Sequence, residues 1–138
     1  MTNIIQLYGG NPYQRLVDMA KLAQQKGVIK GILLHQGESN PNDMGWPNKV
    51  AKIYGDLIKD LNLQADQVPL LAGETVNADQ RGATAAINTI IAELPKVVPN
   101  SYVISSAGCE CRQDRLHFTP AGYRELGRRY AETMLKLV

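Results

Sequence analysis

Apolar residues in this chain come in short runs that stop abruptly at glycine or polar clusters. Between those runs lie longer stretches with apolar positions three and four residues apart. Ile4-Ile5-Gln6-Leu7, within Asn3 to Tyr8, reads as a strand closed by Gly9-Gly10. Asn11-Pro12 then opens a helix, with Asn11 as N-cap and Pro12 at the first helical position. Tyr13, Leu16, Val17, Ala20 and Ala23 give that helix one apolar face, and Gly27 suits its end. Val28 to Leu34 reads as a second strand. It is apolar on both parities except at Lys30 and Gly31, the pattern of a strand covered on both faces. Pro47 to Leu61 is helical, with Val50, Ile53, Tyr54, Leu57, Ile58 and Leu61 as its stripe. Val68 to Ala72 is a third strand, with Pro69 near its start. Asp79 to Leu94 reads as a helix with Ala83, Ala86, Ile87, Ile90, Ile91 and Leu94 on its core face. Ser101 to Ser105 is a fourth strand. Thr119-Pro120 opens the last helix, whose buried side carries Tyr123, Leu126, Tyr130, Met134 and Leu135.

The order β-α-β-α-β-α-β-α predicts an α/β fold. It implies a parallel sheet with right-handed crossovers, in a three-layer α/β/α sandwich. With no repeat, linker or low-complexity segment, residues 1–138 read as a single α/β domain. Such a sheet gathers the loops after its strands along one edge. That would bring His35 to Asn40, Glu74 to Asn77 and Cys109 to His117 together.

Composition narrows the function classes. The 138 residues are 44% hydrophobic and 20% charged, an ordinary globular balance. A net charge of +2, with no basic run interleaved with aromatics, does not point to nucleic acid. The apolar runs are too short for a membrane span. Met1-Thr2-Asn3-Ile4 lacks the basic flank and long apolar stretch of a signal peptide. Cys109 and Cys111 are the two cysteines. A bridge between residues so close would be strained, so they read as free thiols. Cys-x-Cys without a second pair is weak evidence for zinc.

The chemistry concentrates in two stretches. Gly31-Ile32-Leu33-Leu34 runs into His35-Gln36-Gly37-Glu38-Ser39-Asn40, a buried strand ending in a polar loop. Asp114-Arg115-Leu116-His117-Phe118 is the second. An imidazole at 117 can take a proton from a nucleophile and return it to a leaving group near neutral pH. It needs an acid on its other nitrogen. Asp114 is within reach if the segment turns, and Glu38 can serve from the other loop. Gln36 and the backbone at Gly37 can donate to an oxyanion. Equally, His117 can simply anchor the final helix, Asp114 can be a turn residue, and His35 and Glu38 can be strand-end groups satisfied by backbone. No two of His35, Glu38 and His117 show the spacing of metal ligands on one helix. Trp46 reads as packing the loop onto the domain, the alternative being a cleft wall that stacks on sugar rings.

His35-Gln36-Gly37-Glu38-Ser39-Asn40 and Asp114-Arg115-Leu116-His117-Phe118 resemble two conserved blocks of the SGNH-type esterases. The resemblance is closest to carbohydrate esterase family 6 and the sialate O-acetylesterase-like proteins. Gly122 to Ala131 also looks like the helix after the histidine block in that family. The resemblance spans roughly Asn11 to the C-terminus. It implies an SGNH-hydrolase-like, flavodoxin-like sheet and removal of acetyl groups from xylan or related saccharides. It makes His117 the general base and Asp114 its acid partner, with Glu38 a further candidate for that role. It puts Gln36 in the oxyanion hole and implies no metal or organic cofactor. It also suggests a secreted or cell-envelope setting.

One block of the family is missing. Its nucleophile lies in a Gly-Gln-Ser-Asn-type block on an early strand, and this chain has no Gly-Gln-Ser. The chain therefore reads as the C-terminal part of an esterase catalytic domain, its N-terminal strand missing. The nucleophile would come from a missing N-terminal segment or a separate subunit, and a homodimer is a further expectation. Ser39, in Gly37-Glu38-Ser39-Asn40-Pro41, is a weak substitute because Pro41 stands where a nucleophile elbow has its second glycine. Ser105 and Ser106 have no activating neighbour in sequence. The competing expectation is a non-catalytic domain that binds acetylated saccharide or a partner protein and keeps the two blocks as relics.

Overall fold

The computed structural model describes residues 4–138. Its sheet has three parallel strands in the order β1-β2-β3: β1 is Ile32–His35, β2 is Leu70–Gly73 and β3 is Ser101–Ile104. The register sets His35 level with Gly73, and Gly73 level with Ile104. The loops after all three strands thus start from one line.

Helix α1 (Ile4–Leu7) replaces the strand expected at the N-terminus; Asn3 and the residues before it lie outside the described residues. A four-residue apolar run fits either element, and none of the three strands pairs with it. The glycines decide the outcome. Gly9 and Gly10 take φ of 75° and 84°. That lets the Gly10 N–H donate to the Ile5 carbonyl at 2.8 Å, closing the helix end as a Schellman-type turn does.

Helix α2 (Pro12–Gln24) begins as its sequence implies, with Asn11 Oδ1 accepting from the Gln14 N–H at 3.1 Å. Its apolar face is only half used. Val17 packs against Leu57 and Leu61, while Leu16 remains exposed. Helix α3 (Trp46–Asp60) and helix α4 (Ile87–Ile91) cover one face of the sheet, where Trp46, Val50 and Tyr54 meet Leu70, Ala72, Ile87, Ile91 and Leu94. Helix α5 (Pro120–Met134) covers the other face, where Leu126 joins Leu71, Ile104 and Phe118. Helices on both faces of a parallel sheet make the α/β/α sandwich expected from the element order. Tyr123 and Leu135, expected on the buried side of α5, are exposed.

The helix expected over 79–94 is broken into three pieces: a 3-10 turn at Ala78–Gln80, α4, and a second 3-10 turn at Leu94–Lys96. Arg81 takes a left-handed φ of 57°. At Gly82 the backbone doubles back so closely that a Cβ would sit 1.9 Å from the Val76 carbonyl oxygen. The Ala83 N–H then leaves the helical pattern and donates to the Arg115 carbonyl at 2.9 Å. This break ties the region to the loop that carries Asp114 and His117. Among the described residues no helix is long and apolar enough to cross a membrane.

Candidate active site

Residues 111–118 form a tight excursion after β3, closed at its base by an antiparallel bridge between Cys111 and Phe118. Inside it the Arg112 N–H donates to the His117 carbonyl at 2.8 Å, and Arg115 turns the chain with a left-handed φ of 57°. Phe118, 1% exposed, anchors the excursion in the core beneath α5. Full burial of such a ring contributes about 1.5–3 kcal/mol. Thr119 then caps α5 by accepting from the Gly122 N–H at 3.1 Å. Phe118 and Thr119 thus hold His117 in place from its C-terminal side.

Asp114 turns back on His117. Its Oδ1 accepts from the backbone N–H groups of Leu116 (2.9 Å) and His117 (3.0 Å). Its Oδ2 lies 2.8 Å from His117 Nδ1. The backbone N–H of His117, then its imidazole, then the backbone N–H of Leu116 hold the Asp114 carboxyl well below the usual carboxylate range. An ionised carboxylate only accepts, so a neutral His117 carries its proton on Nδ1. Nε2 is then left as the acceptor, on a ring whose side chain is 57% exposed.

Glu38 is engaged elsewhere. Its Oε1 lies 3.2 Å from His35 Nε2. The hydrogen bond from His35 lowers the Glu38 carboxyl below its usual value against the opposing effect of burial, and the backbone N–H groups of Glu38 and Gly37 add to this. The two histidine–carboxylate pairs meet through an aromatic contact. The His35 ring stands edge-on to Phe118, the residue after His117, with centroids 5.9 Å apart. Both blocks read from the sequence therefore converge at the ends of the strands.

Gln36 follows β1 directly, and its side chain turns towards Trp46 of α3. Its Oε1 accepts from Trp46 Nε1 at 2.6 Å, and its Nε2 donates to Asn40 Oδ1 at 2.8 Å. Gly37 is packed so tightly that a Cβ would lie 3.0 Å from Thr75 Cγ2 and 3.3 Å from Ile87. Trp46 is 2% exposed and sits in the core. It packs the loop onto the domain, and in addition makes a directed hydrogen bond to Gln36. Sequence reading missed that bond and the Asn40 contact. The signal that could have found it is a buried indole N–H, which needs an acceptor.

At the end of β2, Glu74 Oε2 accepts from the Ser106 N–H (2.9 Å) and Asn77 Nδ2 (3.0 Å) and is approached by the Ser105 hydroxyl (3.3 Å). This carboxylate ties the ends of β2 and β3 together beside the site. Among the described residues no hydroxyl or thiol hydrogen-bonds the His117 ring. Ser39 is exposed in its turn, and Ser106 is fully buried with its hydroxyl on the Thr75 carbonyl at 2.7 Å. Cys109 and Cys111 are free thiols, and burial raises the Cys109 thiol above its usual value. Among the described residues no group of three metal-ligating side chains gathers.

A family model described as "Carbohydrate esterase, sialic acid-specific acetylesterase" matches residues 2–136. Among solved structures, the 1.6 Å X-ray structure of a protein from Arabidopsis thaliana shares the fold with a TM-score of 0.76 at 24% identity. That match covers 96% of this chain and 56% of the plant chain, so this chain spans a little over half of that relative's length. The family match runs through nearly every residue described above, from α1 to the end of α5, and includes both histidine–carboxylate blocks. This chain belongs to the carbohydrate esterase family of the sialic acid-specific acetylesterases.

Proposed function

We propose that the chain supplies the base, its acid partner and an oxyanion donor of a carbohydrate acetylesterase. It would work in the manner of SGNH-type esterases of carbohydrate esterase family 6, on acetyl groups of xylan or related saccharides. The observation that carries this reading is the 2.8 Å pair of His117 Nδ1 and Asp114 Oδ2, with Nε2 left free on an exposed ring beside the strand ends.

In this reading a hydroxyl nucleophile attacks the acetyl carbonyl carbon. His117 Nε2 takes the hydroxyl proton, and Asp114 stabilises the imidazolium that results. Gln36 Nε2 donates to the oxyanion that forms as the carbonyl bond opens. The bond to the saccharide oxygen then breaks, and His117 returns the proton to that oxygen. Water, activated by the same base, hydrolyses the acetylated nucleophile and releases acetate. Asp114, already in contact, is the acid of choice over Glu38, which is bound to His35.

The nucleophile would come from a segment beyond this chain that pairs with β1. Among the described residues β1 has a strand neighbour on one side only. Leu33, 63% exposed, lies on that strand, and Leu16, Ile53 and Leu57 line an apolar groove beside it. On the α5 side, Tyr123, Leu126 and Tyr130 line a second apolar hollow next to His35. An open edge with apolar walls is a template for strand pairing. An added strand running parallel to β1 would end near His35. The chain together with the early-strand segment of a longer relative should hydrolyse a small acetyl ester such as 4-nitrophenyl acetate faster than either component alone. No gain on adding the segment removes the complementation idea.

The second reading, a non-catalytic domain that binds acetylated saccharide or a partner protein, draws on one observation. No hydroxyl contacts the His117 ring among the described residues. Saccharide binding without turnover in the complemented protein would favour it.

A further inference from the structure

The Gln36 carboxamide sits in a chain of hydrogen bonds whose direction is imposed from both ends. At one end is Trp46. An indole N–H can only donate, so the atom that meets it must be Gln36 Oε1, at 2.6 Å. At the other end is Asp43, a carboxylate that can only accept. Its Oδ2 takes a hydrogen bond from Asn40 Nδ2 at 3.0 Å and pairs with Lys49 Nζ at 2.6 Å, and its Oδ1 accepts from the Gly45 N–H at 3.0 Å. Asn40 must therefore turn its Oδ1 towards Gln36, and Gln36 must answer with Nε2, at 2.8 Å. Each end dictates the same orientation independently. Gln36 Nε2 carries two hydrogens. One goes to Asn40, and the other has no partner among the described residues.

We propose that Trp46, Asn40 and Asp43 are positioning residues that fix which atom of the Gln36 carboxamide stays free to donate. The inference rests on the reading of Gln36 as an oxyanion donor and adds the device that keeps it one. A glutamine amide flipped by half a turn would present a lone pair where the developing negative charge needs a hydrogen. The two orientations have the same shape, so packing alone cannot choose between them. Trp46 is 2% exposed within the core cluster, which makes the donor end of the relay rigid. The Lys49 contact keeps the acceptor end ionised.

The test is a set of variants in the full chain with the complementing segment, read as kcat and KM on an acetyl ester. Gln36→Ala should lower kcat by about 10²–10³-fold, the loss for one oxyanion donor. Trp46→Phe and Asp43→Asn each leave one end of the relay, and each should lower kcat by less than Gln36→Ala with KM unchanged. The double variant loses both ends and should fall to the Gln36→Ala level. A double variant with wild-type kcat, beside a Gln36→Ala that loses it, overturns the positioning role. A Gln36→Ala with full kcat instead removes the oxyanion reading. A second measurement needs no turnover: the side-chain amide of Gln36 in ¹⁵N spectra of the full chain. Solvent exchange that is slower for the amide proton bonded to Asn40 than for the other one, a difference lost in the double variant, supports the relay. Equally fast exchange of both amide protons in the wild-type chain overturns it.

Discussion

The hydroxyl of Tyr130 donates to the carbonyl oxygen of Leu34 at 2.5 Å, binding the middle of α5 to β1 one residue before the strand ends. Space for this contact comes from β2. A Cβ on Gly73 would lie 2.2 Å from the Tyr130 hydroxyl oxygen. Burial pushes the Tyr130 phenol up to about 12, so it remains a donor across the working pH range. Gly73→Ala should therefore displace the ring and destabilise the fold by about 2–4 kcal/mol, through overpacking and the lost hydrogen bond. Tyr130→Phe should cost about 1 kcal/mol. In a Tyr130→Phe background the Gly73→Ala penalty should shrink, a coupling that urea midpoints of the four proteins would measure. Additive losses would show that the alanine meets some other obstacle.

Asp114→Asn tests the acid. An asparagine facing Nδ1 no longer fixes the tautomer, and kcat should drop by about 10⁴-fold, as in other histidine-based triads. Glu38→Gln alters the His35 pair instead and should leave the pH–rate profile in place. A larger loss in Glu38→Gln than in Asp114→Asn would reverse the assignment.

The same carboxylate links stability to pH. Its pKa is depressed in the folded state, so its contribution is present above the unfolded value of about 3.9 and is lost as pH falls through the folded value. The stability gap between wild type and Asp114→Asn should be widest near neutrality and close as the solution becomes strongly acidic. Urea titrations at pH 7 and pH 3 would show this. A gap that widens on acidification contradicts the hydrogen-bond pattern around Asp114.

Hydrolysis by the complemented protein should decline on acidification across the histidine range, roughly pH 5–8, because only a neutral imidazole accepts the proton. A flat profile across that range counts against His117 as base.

The open edge of β1 gives a binding prediction. Leu33 is 63% exposed, so Leu33→Lys should leave the urea midpoint within about 0.5 kcal/mol of wild type. It should nevertheless weaken capture of the complementing segment by isothermal titration. Unchanged capture would place the segment elsewhere.

Most of the frame could be read from local chemistry. Asn11-Pro12 and Thr119-Pro120 mark the starts of α2 and α5 because a cap followed by proline acts within one turn. β2 was legible because it is buried on both faces and so is continuously apolar. The misreadings have two different causes, one local and one distant in sequence. Ile4–Leu7 is too short a run to separate strand from helix. The 79–94 stretch has helical spacing, but contacts distant in sequence break it, with the Gly82 backbone against Val76 and Ala83 bonded to Arg115. In the site, Asp114 and His117 lie three residues apart, and one turn brings them together. Trp46 meets Gln36 only after α3 has folded over the sheet, and no spacing rule reports such a pair.

The four-residue ladder between β1 and β2, Ile32 to Leu70 through His35 to Gly73, is also a ruler. Each rung is one residue, roughly 3.3 Å along the strand. A slip of one rung would carry Gln36 by that distance relative to the Asp114–His117 excursion. It would also swap the faces on which Leu34 and His35 lie. A shift of that size is beyond what a hydrogen bond to a developing charge tolerates. The precision of the site is therefore metered by the backbone of a very short sheet, and changes at Ile32 or Leu70, remote from the chemistry, belong to its tolerance chain.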